Sequence, residues 1–459
     1  GQRLSGGLVW DGSRLDRALF RLDGNAAAWP QHAGIEVEGR LSRLDLREWK
    51  PWVERLQRLS PGGTVAAKGE APLPSLTRLE LETREIVGDG LRLQDARLAL
   101  GREPAAWRIS LSSDEVEGAA LVPDAASSDI RITFSRLQWP LATGEAGKAD
   151  PAPAASAPAN PVAGLGSRSF SINGEGMKLT AWPGLGAIGV SARLLPSPYG
   201  LRIEDIDVDS NVLDFQGRMD WQWRGGVRTR LRGTATSQNV AGVLSALGYA
   251  PSLVSPKATA EFDLGWAGAP DSPQATALDG QLKLSVEQGR LLTISNTTSA
   301  SRVFGWFDVD NLKRRFKGDF SDVLKKGLSF DKASLSGNLQ GGVMNQALFS
   351  VDGPTLKADG QGKLDIGRQQ MDQQFTVMVP VSSAVPVAAV VVAGPVVGGA
   401  VVAAQLAFGK QIDKVTQLRY HVSGDWANPK VERMNMKVFD LRPEKAAEGG
   451  SLQVNGSKP

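Results

Sequence analysis

Apolar and polar residues alternate along most of the chain. The segment LDFQGRMDWQWR (213–224) carries apolar side chains at nearly every second position and charged or amide side chains between them. Because successive side chains of a strand point to opposite faces, this spacing predicts a strand with one apolar and one solvated face. The apolar positions are Leu213, Phe215, Met219, Trp221 and Trp223.

The same period recurs in WRISL, VRTRLR, KATAEFDLGW, QLKLSVE and TLKADGQGKLDI (107–111, 227–232, 257–266, 281–287 and 355–366), with Gly, Asp and Asn between the runs. These residues are typical of turns, so the pattern predicts an antiparallel β meander over most of the chain. The further apolar-face positions are Phe262, Leu264, Leu282, Leu284, Val286, Leu364 and Ile366. Residues 91–121 and 188–217 resemble each other as three-strand units, and a repeated β unit favours an elongated object.

Helical signals are few and short. One helix is predicted over 46–57 and a second over 238–247, with Ser237 as N-cap and Gly248 after the C-terminus. Residues 301–326 have the pattern of two amphipathic helices joined near Gly318, with basic residues around the first. The basic residues are Lys313, Arg314, Arg315 and Lys317.

Composition shifts divide the chain into three β-rich regions. The stretch 141–168 is rich in Ala, Pro and Gly without periodicity, which is typical of a linker or disordered loop. We therefore expect β segments at 1–140 and 169–298, and a C-terminal region at 299–459. Within that region we expect final strands at 415–439 and a disordered tail at 441–459. The chain begins without Met, and we interpret it as a processed or truncated piece.

One long segment has no charge at all. Between Asp372 and Lys410 no charged side chain occurs, and residues 384–408 are almost entirely Val, Ala, Gly and Pro. Pro386, Pro395 and the Gly residues interrupt a run that is otherwise long enough for a membrane helix. Three interpretations stay open: an apolar helical hairpin that touches a membrane or lipid, a hairpin in a protein core, and a kinked span. Its candidate contact residues are Val387, Val390, Val391, Val392, Val396, Val397, Val401, Val402, Leu406 and Phe408.

Charge and composition exclude several function classes. The chain has 459 residues, 52 Lys and Arg against 49 Asp and Glu, no Cys and two His. No concentrated basic patch is present, which argues against a nucleic-acid partner. A zinc–thiolate site and a Cys nucleophile are excluded. We find no nucleophile–base–orienter set, and so predict no catalytic residues, no metal and no cofactor.

Two motifs have simple structural interpretations. GLGAIG (184–189) follows Pro183 and precedes a strand pattern, so a turn is favoured over a dinucleotide site. Asp205, Asp207 and Asp209 alternate with Ile206 and Val208, which predicts the solvated face of a strand.

Several longer segments resemble a known family. They are LDGQLKLSVEQGRLLTIS, RVFGWFDVDNLKRRFKGDFSDVLKKGLSFD and GPTLKADGQGKLDIGRQQMDQQFTVMVPVSSAVPVAAVVVAGPVVGGA, preceded by QNVAGVLSALGY and AEFDLGW. In this order they resemble the C-terminal part of the YhdP-like members of the AsmA-like family, envelope proteins of Gram-negative bacteria. The resemblance is densest over 200–440 and thinner over 1–140.

The resemblance implies a bridge-like lipid transporter in the periplasm, anchored in the inner membrane by a segment outside this chain. It implies a mainly β fold in which an elongated, curled antiparallel sheet forms an open hydrophobic groove. The apolar-face positions named above would line the groove, and the basic residues near 313–317 would contact lipid head groups. Phospholipids, the two membranes and an envelope protein at the C-terminal end are the expected partners. The alternative is a scaffold that assembles outer-membrane proteins by strand addition.

Overall fold

The computed structural model describes residues 4–12, 14–22, 29–48, 76–88, 91–139, 168–180, 182–270, 273–292, 328–354, 357–380, 414–426 and 429–440. These residues form one open, curled sheet of 23 strands. The first strands are β1 Leu4–Asp11, β2 Arg14–Leu22, β3 Gly34–Leu41, β4 Leu44–Asp45, β5 Leu76–Gly88, β6 Leu91–Glu103, β7 Ala106–Ser112, β8 Val116–Pro123, β9 Ile130–Trp139, β10 Phe170–Leu179, β11 Ala187–Ser197 and β12 Gly200–Asp209. The others are β13 Asp214–Gln222, β14 Arg228–Ser237, β15 Leu253–Val254, β16 Lys257–Ala267, β17 Asp279–Leu291, β18 Leu328–Gln340, β19 Val343–Asp352, β20 Lys357–Asp365, β21 Gln370–Pro380, β22 Lys414–Asp425 and β23 Lys430–Asp440.

The strands lie in the sheet in the order in which they occur in the chain. Each long strand pairs with the preceding and the following one, from β1 beside β2 to β22 beside β23. The two-residue strand β15 pairs with β17 and β4 pairs with β5. The mainly β, elongated fold predicted from the alternating pattern is therefore confirmed. The three-strand units β6–β8 and β11–β13 correspond to the two segments that resemble each other in sequence.

Two places depart from the antiparallel meander that the sequence predicts. Strand β3 lies parallel to both β2 and β5, and β9 lies parallel to β10. A parallel pair needs a connection that carries the chain back to the end of the sheet where the first strand began, and a tight hairpin cannot do this. The connections are correspondingly long, and the one between β9 and β10 contains the Ala/Pro-rich segment.

Side-chain hydrogen bonds stabilise the start of the parallel pair β9–β10. The Nη2 atom of Arg168 donates to the carbonyl oxygens of Pro123, Ala125 and Ser128 at 2.9, 3.2 and 2.9 Å. Asp129 accepts hydrogen bonds from the Ser169 hydroxyl and, at 3.1 Å, from Nε of Arg193 on β11. The Ser169 hydrogen bond, and then that of Arg193, lower the pKa of Asp129. The sheet therefore continues across the interruption in sequence.

The helix predicted over 238–247 lies at Val240–Ala246, and we name it α1. Its C-terminus is followed by Gly248 at φ 84°, a conformation that glycine adopts without strain. The prediction of Ser237 as N-cap was wrong. Asn239 caps the helix by accepting from the Gly242 N–H, because the Ser237 hydroxyl instead donates to the Val212 carbonyl at 2.7 Å.

Other predicted helices lie wholly or mostly outside the described residues. Leu46–Glu48 are helical, and the remainder of 46–57 is not described. The segments 301–326 and 384–408, with every basic and apolar contact residue predicted there, also lie outside the described residues, as does the tail at 441–459. Within the described ranges, no helix combines the length and apolarity needed to cross a bilayer.

Candidate functional site

Cross-strand pairing aligns apolar side chains into one continuous row. Residues directly opposite each other on neighbouring strands share a face of the sheet. The set starts at Leu4 on β1 and takes the directly paired residue on each following long strand, as far as Tyr420 on β22. It contains one residue from each of 20 strands, and every member is apolar, aromatic or glycine. The members are Leu4, Leu22, Gly39, Leu81, Leu98, Leu111, Gly118, Phe134, Gly174, Val190, Val208, Phe215, Ala235, Ala260, Leu284, Leu335, Phe349, Gly360, Phe375 and Tyr420. We call this set the apolar row.

Parallel rows widen the apolar surface on the same face. One runs from Ile130 on β9 to Gly424 on β22 and includes Met219, Leu264 and Leu364. A second runs from Gly6 on β1 to Ala192 on β11 and is likewise apolar at each position. With strands about 4.8 Å apart, the apolar row has a contour length of roughly 90 Å.

The opposite face is polar along the same length. The row adjacent to the apolar row, from Ser5 on β1 to Glu432 on β23, is polar except for Ala99, Ala119 and Leu348. Asp205, Asp207 and Asp209 are exposed there, as the sequence predicts. The sheet thus has one wet face and one apolar face, and charge is segregated from the apolar row.

Ion pairs cross between strands on the polar face. Nε of Arg230 lies 2.6 Å from Oδ1 of Asp263, and Nε of Arg232 lies 2.9 Å from Oδ2 of the same carboxylate. The hydrogen bond from Arg230 lowers the pKa of Asp263, and Arg232 adds to the effect. These pairs brace β14 against β16, and the lowered pKa extends the ionised state of the carboxylate to more acidic pH.

The apolar face is partly accessible along the middle of the sheet. The predicted lining residues Leu213, Phe215, Met219, Trp221, Phe262, Leu264, Leu282 and Leu284 are all partly accessible. A contiguous apolar surface that stays partly accessible is typical of a binding surface. We call the apolar row together with its two parallel rows the strip. The strip is therefore the candidate site.

Towards the C-terminal strands the same face becomes covered. Val286 and Leu364 are 6% and 7% exposed and belong to a buried cluster that extends to Val422 on β22. Ile366 packs against this cluster. Trp223 is also buried, in a separate small cluster with Leu201 against which Trp221 packs. The predicted lining residues accordingly divide into an open middle set and a buried set.

Several aromatic rings on the apolar face contact one another. Phe215 and Phe262 are parallel, with ring centroids 5.8 Å apart, and Trp221 and Trp223 are edge-to-face at 5.5 Å. Phe349 and Phe375 are edge-to-face at 5.6 Å across Gly360 of the intervening strand. These contacts make the floor of the strip partly aromatic.

Sequence reasoning missed the N-terminal half of the strip. The members from Leu4 to Val208 were not named as lining residues, although the alternation in WRISL contains Leu111. Two signals were overlooked: glycine at positions of the apolar face, and apolar residues three apart where a bulge restores the face. The described residues contain no cluster of three or more His, Cys, Asp or Glu side chains arranged to hold a metal ion.

A family model described as YhdP protein matches residues 1–431. The chain belongs to the YhdP family. Over 230 residues it is 29% identical to a protein of Escherichia coli (strain K12) named intermembrane phospholipid transporter YhdP. The matched region is 50% of this chain and 18% of that relative, so the chain spans less than two thirds of the relative's length. No solved structure matches the chain.

Proposed function

We propose that the chain is part of a non-enzymatic phospholipid conduit, and that its apolar face is the floor of a groove along which acyl chains move. The observation that carries this proposal is the apolar row, which no polar side chain interrupts over 20 strands. A conduit needs continuity above all, because a charged side chain on the path would be an unfavourable neighbour for an acyl chain. The name of the Escherichia coli relative supports phospholipid as the cargo.

The physical task of such a groove is to shield acyl chains from water. Exposing the two chains of a phospholipid costs on the order of 20 kcal/mol, at about 0.8 kcal/mol per methylene. An apolar floor removes most of this cost, and the open side of the groove lets the head group stay hydrated. Lipid must not stop at any one point, so a lining of similar apolar residues suits transport better than a specific polar pocket.

In the complete protein we infer that the conduit crosses the periplasm between the inner and outer membranes. Residues 379–409 would contact the membrane or cap the groove at the C-terminal end, and Lys313, Arg314, Arg315 and Lys317 would contact anionic head groups. The covered apolar cluster on β17–β22 supports a change of role there, from open floor to terminus.

An assembly scaffold acting by strand addition makes the opposite demand on the sheet. Such a scaffold requires a filled apolar face and an available edge. The partly accessible apolar residues of β12–β17 favour the conduit.

The test places a charge on the apolar face and a matched charge on the polar face. Phe215→Asp and Leu284→Asp introduce a carboxylate on the apolar row, whereas Gln216→Asp introduces one on the exposed face of the same strand as Phe215. The 459-residue chain is purified, its bound phospholipid is measured by native mass spectrometry, and transfer of labelled phospholipid between vesicles is followed.

We expect lipid occupancy and transfer to fall in both apolar-face variants and to persist in Gln216→Asp, with circular dichroism unchanged in all three. Normal transfer in Phe215→Asp and Leu284→Asp would refute the groove. A wild-type chain that carries no phospholipid would favour the scaffold.

A further inference from the structure

Among the described residues, three phenylalanine rings on the apolar face lie directly over the glycine with which they are paired on the neighbouring strand. Phe134 is paired with Gly174, Phe330 with Gly289, and Phe375 with Gly360. A Cβ atom built on Gly174 would lie 2.4–2.5 Å from three ring atoms of Phe134. The shortest corresponding distances are 2.0 Å at Gly289 and 2.4 Å at Gly360. Each ring therefore occupies the volume that any larger side chain would need.

The backbone does not require glycine at these three positions. None of them has a positive φ, in contrast with Gly176 or Gly362. At each, the three atoms nearest to the added Cβ all belong to the partner ring, not to the backbone. At Gly217 and Gly233, by comparison, a carbonyl oxygen is the nearest atom, at 2.3 and 2.4 Å. The only need for glycine at positions 174, 289 and 360 is thus to leave room for the partner ring.

The pairs differ in what the rings face. Phe134 and Phe375 are members of the apolar row, and each ring is partly accessible at the surface of the strip. Phe375 also packs against the buried C-terminal cluster. Phe330 is 5% exposed and belongs to the buried C-terminal cluster. Gly174 and Gly360 are themselves buried beneath the rings. A ring held down in this way covers the bare glycine backbone and keeps its own bulk out of the path.

We propose that Gly174 and Gly360 are positioning residues that seat Phe134 and Phe375 low on the floor of the strip and so set the clearance for acyl chains. The inference rests on the proposed function, because clearance matters only if lipid moves along this face. A methyl group beneath the ring would lift it into the strip. Acyl chains bent by a cis double bond have the larger cross-section, so their passage would be restricted more than that of straight chains.

The test combines a substitution under the ring, its relief and a control. Gly174→Ala lifts Phe134, and Gly174→Ala with Phe134→Leu removes the ring that the methyl group displaces. Gly101→Ala is the control, because nothing lies within 4 Å of the added Cβ there and φ is not positive. The purified 459-residue chain transfers head-group-labelled dioleoyl or dipalmitoyl phosphatidylethanolamine between phosphatidylcholine vesicles, and native mass spectrometry records occupancy.

We expect Gly174→Ala to slow dioleoyl transfer on the order of tenfold, as overpacking energies imply, and dipalmitoyl transfer less. The double variant should recover most of the rate, and Gly101→Ala should match wild type. A merely structural role predicts a different result, namely equal loss for both lipids and no recovery when Phe134 is shortened, and that result would overturn the inference.

The failure of this inference is distinguishable from that of the proposed function. If wild type carries phospholipid and Gly174→Ala transfers both lipids at the wild-type rate, the glycine role alone is refuted. If wild type neither binds nor transfers either lipid, the conduit is refuted and the glycine role with it.

Discussion

The ring of Phe215 stacks on the ring of Phe262, although a complete strand lies between the two strands that carry these residues. Phe215 lies on β13 and Phe262 on β16, and β14 runs between them. The ring of Phe215 crosses β14 above Gly233, where an added Cβ would lie 2.5 Å from it, and reaches Phe262 with an interplanar angle of 7°. The contact therefore links β13 directly to β16 through side chains on the apolar face, although these two strands are not paired by backbone hydrogen bonds.

A double-mutant cycle should detect this contact. We expect Phe215→Leu and Phe262→Leu to be coupled by about 0.5–1.5 kcal/mol, the range for aromatic pairs beyond their burial. The measurement is the free energy of opening of β13 and β16 from native-state hydrogen exchange. Phe215 paired with the distant Phe375 provides the control cycle, for which we expect additivity. Additivity in the Phe215–Phe262 cycle would contradict a stabilising stack.

Arg168 should stabilise the parallel junction of β9 with β10. Its guanidinium donates to three carbonyl oxygens of the segment before β9, and hydrogen bonds from a charged donor contribute about 1.5–3 kcal/mol. We expect Arg168→Ala to lower the opening free energy of β9 and β10 by about 2 kcal/mol, as measured by hydrogen exchange.

Arg131→Ala, on the exposed face of β9, is the control for Arg168 and should have little effect. Unchanged protection of β10 in Arg168→Ala would mean that backbone pairing alone holds the junction.

Acid should weaken the brace between β14 and β16. Asp263 has a pKa below its ordinary value of 3.8 because Arg230 donates hydrogen bonds to it and the Arg232 guanidinium lies beside it. The unfolded state therefore binds more protons than the folded state as the pH falls below that value, and the stabilisation present above it is lost through the lowered pKa. We expect the melting temperature of wild type to decline below about pH 4 more steeply than that of Asp263→Asn.

Asp207→Asn, an exposed carboxyl on the same face, is the matched control for Asp263. It should retain the wild-type slope. Identical slopes for wild type and Asp263→Asn would show that this ion pair contributes nothing to stability.

Asn239 should be the residue that starts helix α1. Its side chain accepts from the Gly242 N–H at 2.9 Å, and loss of an N-cap costs about 1 kcal/mol. We expect Asn239→Ala to reduce the hydrogen-exchange protection of Val243 and Leu244 by about fivefold. Asn239→Asp, which preserves the acceptor, should restore it, and equal protection in Asn239→Ala would contradict the assignment.

Local pattern was sufficient to predict the faces of the strands but not all of their partners. The alternation of Phe215, Met219 and Trp221 determines one face of β13 without reference to the rest of the molecule. The pairing of Phe134 with Gly174 depends on the return of the chain through 140–167, and no local period encodes it. Parallel pairing was missed for the same reason.

Bulges are the other feature that a strict alternation of apolar and polar residues cannot predict. Ile203 and Ile206 are three residues apart, yet both pair on the apolar face, with Met219 and Gly217 respectively. Between them Asp205 adopts φ 50° and absorbs the extra residue. A strict alternation would have assigned one of the two isoleucines to the polar face. The N-cap error at Ser237 is similar, because the partner of its hydroxyl, Val212, is distant in sequence.

The order of the strands bears on how such a protein evolves and is made. A sheet whose neighbours in space are also neighbours along the chain can be lengthened by duplicating a hairpin, without rethreading what is already there. Each addition extends the apolar row by about 4.8 Å per strand. Growth in span is thus nearly independent of the existing fold, and a nascent chain can complete each section before the next is synthesised.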